Sequence, residues 1–177
     1  ISIVFAIACA YLSNWQFTRN ESRERQLALE VHGKGLVAYS LRPHDEVRDF
    51  FYDRKNYIDV LDRAAEDMFD QHGLRVGGLD LQLATLLSRE HGVSVSISRD
   101  TDPVAAARRP KRVFDPTRRV VQLAGRLTSG QRAFQLATQL ALITQSDVID
   151  AVIADAVELS SESRAVARIG LANYFAG

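Results

Sequence analysis

The hydrophobic period of this chain changes from helical to alternating and back, and that switch limits the folds open to it more than any other feature. From Pro43 through Met68 and Phe69, apolar residues recur at helical spacing behind a proline suited to a first helical turn, with Val47, Phe51, Ile58, Leu61, Ala65 and Met68 on one stripe. Leu79 to Glu90 reads as a second amphipathic helix stopped by His91-Gly92. Val93, Val95 and Ile97 then alternate with serines, as a half-buried strand does. Val113-Phe114 and Val120, Val121 and Leu123 flank Asp115-Pro116-Thr117, which predicts two short strands around a turn. Helical spacing returns behind Thr128-Ser129-Gly130, where Phe134, Leu136, Leu140 and Ile143 predict a helix apolar nearly all round, hence buried. Asp147 is the expected cap of a helix to Leu159, and Ser160 to Ser163 opens a last helix to Phe175. The expectation is an α+β fold, helical with a small antiparallel sheet.

Residues 1–40 stand apart from this pattern. Ile1 to Leu12 is almost wholly apolar, and a charged run from Arg19 to Arg25 follows Trp15. Twelve residues are fewer than the roughly 20 of a bilayer span, so the segment reads either as part of a membrane span or as a buried helix. Gly33 and Gly35 mark a linker. Contact with a membrane is expected only through residues 1–20, and otherwise a cytoplasmic location. The globular unit is expected over 41–177, and Ile1 and Gly177 read as ends cut from a longer chain. Cys9 is the single cysteine, which excludes a cysteine-cluster metal site and suits a reducing compartment. Lysine plus arginine and aspartate plus glutamate number 22 each, so the whole chain has no bias toward nucleic acid.

Locally the balance breaks. Between Pro103 and Arg132, Arg108, Arg109, Lys111, Arg112, Arg118, Arg119, Arg126 and Arg132 face one acid, Asp115. Guanidinium forks suit phosphate oxygens, so a nucleotide-like or acyl-coenzyme ligand, or nucleic acid, fits there. The competing reading is a solvated basic loop paired with the acidic stretch bearing Asp150, Asp155 and Glu158. A second cluster, Phe50, Tyr52, Arg54, Asn56 and Tyr57, sets flat rings beside a guanidinium and an amide, a set able to stack an adenine and hold a phosphate. It reads equally as a core helix whose aromatics fill volume while Arg54 snorkels. For catalysis the inventory is thin. His32, His44, His72 and His91 stand singly, with no His-x-x-x-His and no nucleophile motif.

Several segments carry a family resemblance. Pro43-His44-Asp45-Glu46-Val47-Arg48-Asp49-Phe50-Phe51-Tyr52, Asn56-Tyr57, Leu61-Asp62-Arg63-Ala64-Ala65-Glu66, Phe114-Asp115-Pro116, Leu127 to Phe134 and Ala167 to Ala176 resemble the central domain of short-chain fatty acyl regulators of the RamB/PrpR type. That domain is related to the zincin-like ImmA/IrrE peptidases, whose helix after the small sheet carries His-Glu-x-x-His. Laid on this chain, the motif falls on Thr138, Gln139 and Leu142, none of which ligates zinc or acts as a base. The resemblance therefore implies a non-enzymatic domain without metal that binds acyl-CoA, propionyl-CoA or a relative, as a non-covalent effector.

The residues expected at such a ligand are Phe50, Tyr52 and Tyr57 for ring or pantetheine contacts, Arg54, Arg63 and Arg89 for phosphates, and Tyr174 near the acyl end. DNA would be a partner only through a helix-turn-helix domain outside this sequence, and a homo-oligomer is possible. The alternatives are a non-catalytic interaction or dimerisation module and a residual ImmA/IrrE-type metallopeptidase.

Overall fold

The computed structural model describes residues 43–99, 104 and 108–177. The apolar segment and linker of residues 1–40, with Cys9 and His32, lie outside the described residues. The elements run α1 (Pro43–Asp53), α2 (Asp59–Gln71), α3 (Leu79–His91), β1 (Ser94–Ile97), β2 (Arg112–Asp115), β3 (Val120–Leu123), α4 (Ser129–Thr144), α5 (Ser146–Ala154) and α6 (Ser161–Ala176).

The continuous helix expected from Pro43 to Phe69 is two helices. Lys55 and Asn56 both take left-handed backbone angles, with φ of 52° and 54°, and asparagine tolerates that region better than most residues. The Asn56 N–H returns to the Phe51 carbonyl at 2.8 Å, which closes α1. The chain then turns, so Tyr57 lies beyond the helix that carries Phe50.

The helix ends elsewhere follow local chemistry. Gly92, at φ 60°, ends α3 and donates its N–H to the Ser88 carbonyl at 3.2 Å. Thr128 and Gln131 form a reciprocal capping box on α4, at 3.0 and 3.3 Å. Ser160 caps α6 by accepting the Ser163 N–H. Asp147 does not cap α5; it sits in the first turn, where its charge suits the helix dipole, and Gln145 takes the cap position without a side-chain bond.

The sheet is mixed. β2 and β3 form the expected antiparallel hairpin, Phe114 opposite Val121, and the Asp115 carboxylate accepts the Thr117 and Arg118 N–H groups at 3.0 Å each to make the turn. β1, expected in an antiparallel arrangement, joins the other edge of β3 in parallel, with Val95 opposite Val121. Between β1 and β3 the chain returns through β2, which runs antiparallel to both and so lets β3 start at the same end as β1. Val93 is buried at the strand's start whereas Ile97 is half exposed, so the alternating face is covered only at one end.

Two apolar clusters meet on α4. Leu83, Leu86 and Leu87 of α3 pack with Val93, Val121, Leu123, Leu136 and Leu140 on one side. On the other, Val47, Phe50, Ile58 and Leu61 pack with Ile149, Ile153, Leu171, Phe175 and Ala141. Met68 touches both. Among the described residues no single helix is long and apolar enough to cross a membrane; α4 and α5 together reach the length but are bent by 76°.

Candidate functional site

The junction of α1 and α2 assembles several of the expected side chains around a residue the sequence reading passed over, Asp59. Its carboxylate accepts the Tyr57 hydroxyl at 2.9 Å and the Arg63 Nε at 3.1 Å, with the Arg63 Nη2 also bonded. The Arg63 bonds, then Tyr57, hold the Asp59 carboxyl below its ordinary value, and the same contact raises the Tyr57 phenol. Tyr174 arrives from α6, and its hydroxyl oxygen accepts the Ile58 N–H at 3.2 Å. Burial raises the Tyr174 phenol. The signal for Asp59 was available: Asp59 and Arg63 stand at helical i,i+4 spacing, the arrangement in which an acid and a base meet.

Phe50 and Arg54 lie beside this junction but face inward. Phe50 is 0% exposed and meets Phe51 edge-on, centroids 5.1 Å apart. The Arg54 guanidinium covers the Phe50 ring at 4.0 Å and bonds the Phe50 carbonyl at 3.1 Å and Glu158 at 3.0 Å. Phe50 therefore packs the core in this arrangement and offers no ring face to a ligand. Tyr52, 56% exposed, does offer one. Arg89 is not brought to the junction. It lies on α3, in a groove with Leu81, Ala84, Thr85, Ser88 and Val95.

Much of the basic hairpin is engaged in holding the fold. Arg132 pairs with Asp80, buried to 7% exposure, at 3.0 Å, and also donates to the Leu127 carbonyl. Arg119 bonds the His91 carbonyl, Arg126 the Arg109 carbonyl at 2.9 Å, and Arg118 lies 3.9 Å from Asp115. The expected pairing with the acidic stretch does not form among these: Glu158 goes to Arg54 and Asp150 to Arg168. Arg112 points at α4, where its Nη1 donates to the Gln135 carbonyl at 3.0 Å, and burial lowers its pKa. Nothing in a run of basic residues marks which one turns inward.

On α4, Thr138 is buried with its hydroxyl 2.8 Å from the Phe134 carbonyl and 3.2 Å from the Asn173 Oδ1. Gln139 is buried beside it and Leu142 packs on the first cluster. A hydroxyl committed to helix carbonyl and amide, a carboxamide and an isobutyl group do not make a zinc donor set. Among the described residues no three His, Cys, Asp or Glu side chains are grouped to hold a metal. His72 lies 3.2 Å from Glu90.

A buried helix flanked by a three-stranded mixed sheet and a closing helix makes this an α+β domain. Residues 79–176 match the model of the IrrE N-terminal-like domain, and the chain belongs to that family. It is 56% identical over 135 residues to the HTH-type transcriptional regulator PrpR of Mycobacterium tuberculosis, a match covering 76% of this chain and 27% of that protein. The HTH-type transcriptional regulator RamB of the same species is 40% identical over 173 residues, 96% of this chain and 35% of RamB. A propionyl-CoA carboxylase regulator of Cereibacter sphaeroides is 35% identical over 173 residues, 97% and 35% of the two chains. A solved Mycobacterium tuberculosis transcriptional regulator superposes with a TM-score of 0.70 at 55% identity, covering 76% of this chain and 39% of that one. The chain thus spans about a quarter to a third of the length of the curated relatives it matches.

Proposed function

We propose that this chain is the ligand-sensing part of a transcriptional regulator of short-chain fatty acid metabolism, and that its effector is an acyl-CoA such as propionyl-CoA. The reading is carried by the relatives: two are named HTH-type transcriptional regulators and a third a propionyl-CoA carboxylase regulator. The chemistry of the α1–α2 junction is compatible with it. Tyr52 and Tyr57 present exposed rings, and Arg63 presents an exposed guanidinium that exchanges Asp59 for phosphate oxygens at modest cost, because a solvent-exposed ion pair is worth little. Tyr174 links the junction to α6, so occupancy there can bias the packing of the closing helix. A ligand acts as a switch only where it binds two conformations differently. DNA contact belongs, in this reading, to another domain of the regulator.

Isothermal titration calorimetry with propionyl-CoA tests the proposal. Saturable heat with one site per chain is expected, weakened by Arg63→Ala. Absence of heat at high micromolar ligand, with the protein shown folded by circular dichroism, overturns it.

A further inference from the structure

The sheet has an open edge. β1 pairs with β3 on one side, and among the described residues no strand lies on its other side. The Ser94 and Ser98 N–H groups bond the Arg119 and Leu123 carbonyls at 2.9 and 2.8 Å, so by the two-residue period of a strand the N–H and C=O of Val95 and Ile97 point away from β3. No described residue bonds them. Soluble proteins blunt such edges by shortness, charge, proline or a covering element. Ser94-Val95-Ser96-Ile97 is short, but it carries neither charge nor proline.

Beside this edge, α3 and β1 border an open groove of about 470 Å³. Ala84, Thr85 and Ser88 of α3 and Val95 of β1 line it with small side chains, together with Leu81, which is 71% exposed. Ile97, on the same strand face as Val95, is 52% exposed. Arg89 is the one charged residue lining the groove; it is exposed and makes no ion pair among the described residues. Three features thus coincide: unpaired strand backbone, an apolar groove with room beside small side chains, and an uncommitted guanidinium. An extended peptide uses all three. Its backbone pairs with Val95 and Ile97 as an added strand, its alternate side chains enter the groove, and a carboxylate on it meets the Arg89 fork. We propose that the β1 edge and the α3 groove form a docking site for an extended segment of a partner protein, with small apolar side chains in alternation and a carboxylate that reaches Arg89. The lone positive charge in the lining selects an acidic segment over a basic one. This site is separate from the α1–α2 junction and does not depend on the acyl-CoA reading.

Fluorescence anisotropy with the whole chain tests it. The probes are fluorescein-labelled heptapeptides of alternating valine and threonine in which one residue is glutamate, its position moved along the series. At least one is expected to bind saturably. Arg89→Ala is expected to weaken that binding about tenfold, the loss of one charge-assisted hydrogen bond, and to remove the preference for glutamate over glutamine in the peptide. Ile97→Pro deletes an outward N–H and no bond to β3, and is expected to abolish binding. Should Ile97→Pro fail to fold by circular dichroism, the peptide carries the test instead: N-methylation of one alternate set of its backbone nitrogens is expected to abolish binding, and of the other set to leave it intact. The proposal is overturned if no peptide binds the folded wild type, or if binding is indifferent both to Arg89→Ala and to N-methylation. Self-association of the chain that Ile97→Pro abolishes, with no peptide bound, would assign the edge to a second copy and overturn the partner segment. Propionyl-CoA heat that Arg89→Ala removes, with no peptide bound, would assign Arg89 to the effector and overturn it likewise. Absence of propionyl-CoA heat alone bears on the acyl-CoA reading and leaves this site untouched.

Discussion

The Tyr174 hydroxyl accepts the Ile58 N–H at 3.2 Å, so a side chain from α6 serves as the missing cap of α2. Ile58 has no side-chain acceptor of its own, and the first N–H groups of a helix otherwise lack partners. Tyr174→Phe is expected to cost about 1 kcal/mol of stability, the usual worth of a cap or a neutral hydrogen bond. The ring stays in place, so urea denaturation should show a lower midpoint with an unchanged slope. An unaltered midpoint would mean that water replaces the hydroxyl.

Acid should loosen the packing of α1 and α2 on α6. Glu46 is held below its ordinary 4.5 first by the Ser163 side chain and then by the Ser160 N–H, which it accepts at 2.8 Å; Asp59 is held below 3.8 by Arg63 and Tyr57. Because both pKa values fall on folding, the unfolded chain binds more protons in this range, and their stabilisation is present above pH 4.5 and lost as the pH falls through the native values. Glu46→Gln and Asp59→Asn should each flatten the acid limb of the stability curve while lowering stability at neutral pH. Tyr57 and Tyr174, raised above 10.0, place the mirror-image loss in the alkaline range, as the pH rises through their native values.

Asp80 is the buried acid of the second cluster, and Arg132 is its partner at 3.0 Å. Asp80→Ala strands a largely buried guanidinium, and breaking a buried pair on one side costs about 3–5 kcal/mol; the residual exposure of Arg132 and its bond to Leu127 place the expected loss near the lower figure. The double variant Asp80→Leu, Arg132→Met should recover part of it. Thermal melts of the three proteins test the coupling.

Gly170 lets α6 approach α1. A Cβ there would stand 3.0 Å from the Phe51 ring. Alanine gains about 1 kcal/mol in helix propensity, while overpacking costs about 1–3 kcal/mol. Phe51 is only partly buried and can shift, so Gly170→Ala is expected to destabilise by about 1 kcal/mol, whereas Gly170→Leu should lose considerably more. A stabilised Gly170→Ala protein would mean that the ring moves freely.

The helices and the hairpin could be read from the sequence because their signals are local: a period, a capping box at Thr128, an Asp-Pro turn at Asp115. The break at Lys55 and Asn56 could not, since the apolar spacing runs through it and backbone angles at two polar residues interrupt it. Nor could the parallel pairing of β1, because alternation in Val93, Val95 and Ile97 reveals a face and not a direction. Of the expected ligand residues, Tyr57, Arg63 and Tyr174 converge on one junction, whereas Phe50 turns into the core and Arg89 lies on another helix. Composition announced a basic hairpin, yet its members divide between backbone carbonyls, Asp80 and Asp115; which guanidinium points inward is decided by strand facing, a tertiary property. Gln139 stood out in sequence only as an unsuitable base, and its burial on α4 became visible only with its neighbours in place.

The position of α6 along the chain has a consequence for biosynthesis. α3, the sheet and α4 enclose the second cluster without it, whereas Leu171, Ala172 and Phe175 complete the first. On a ribosome extending the chain from its amino end, α1 and α2 emerge first yet wait for the last described helix before their apolar faces are covered. The half of the domain made earliest is thus the half that matures last, and in the interval its exposed surface is what a chaperone would meet.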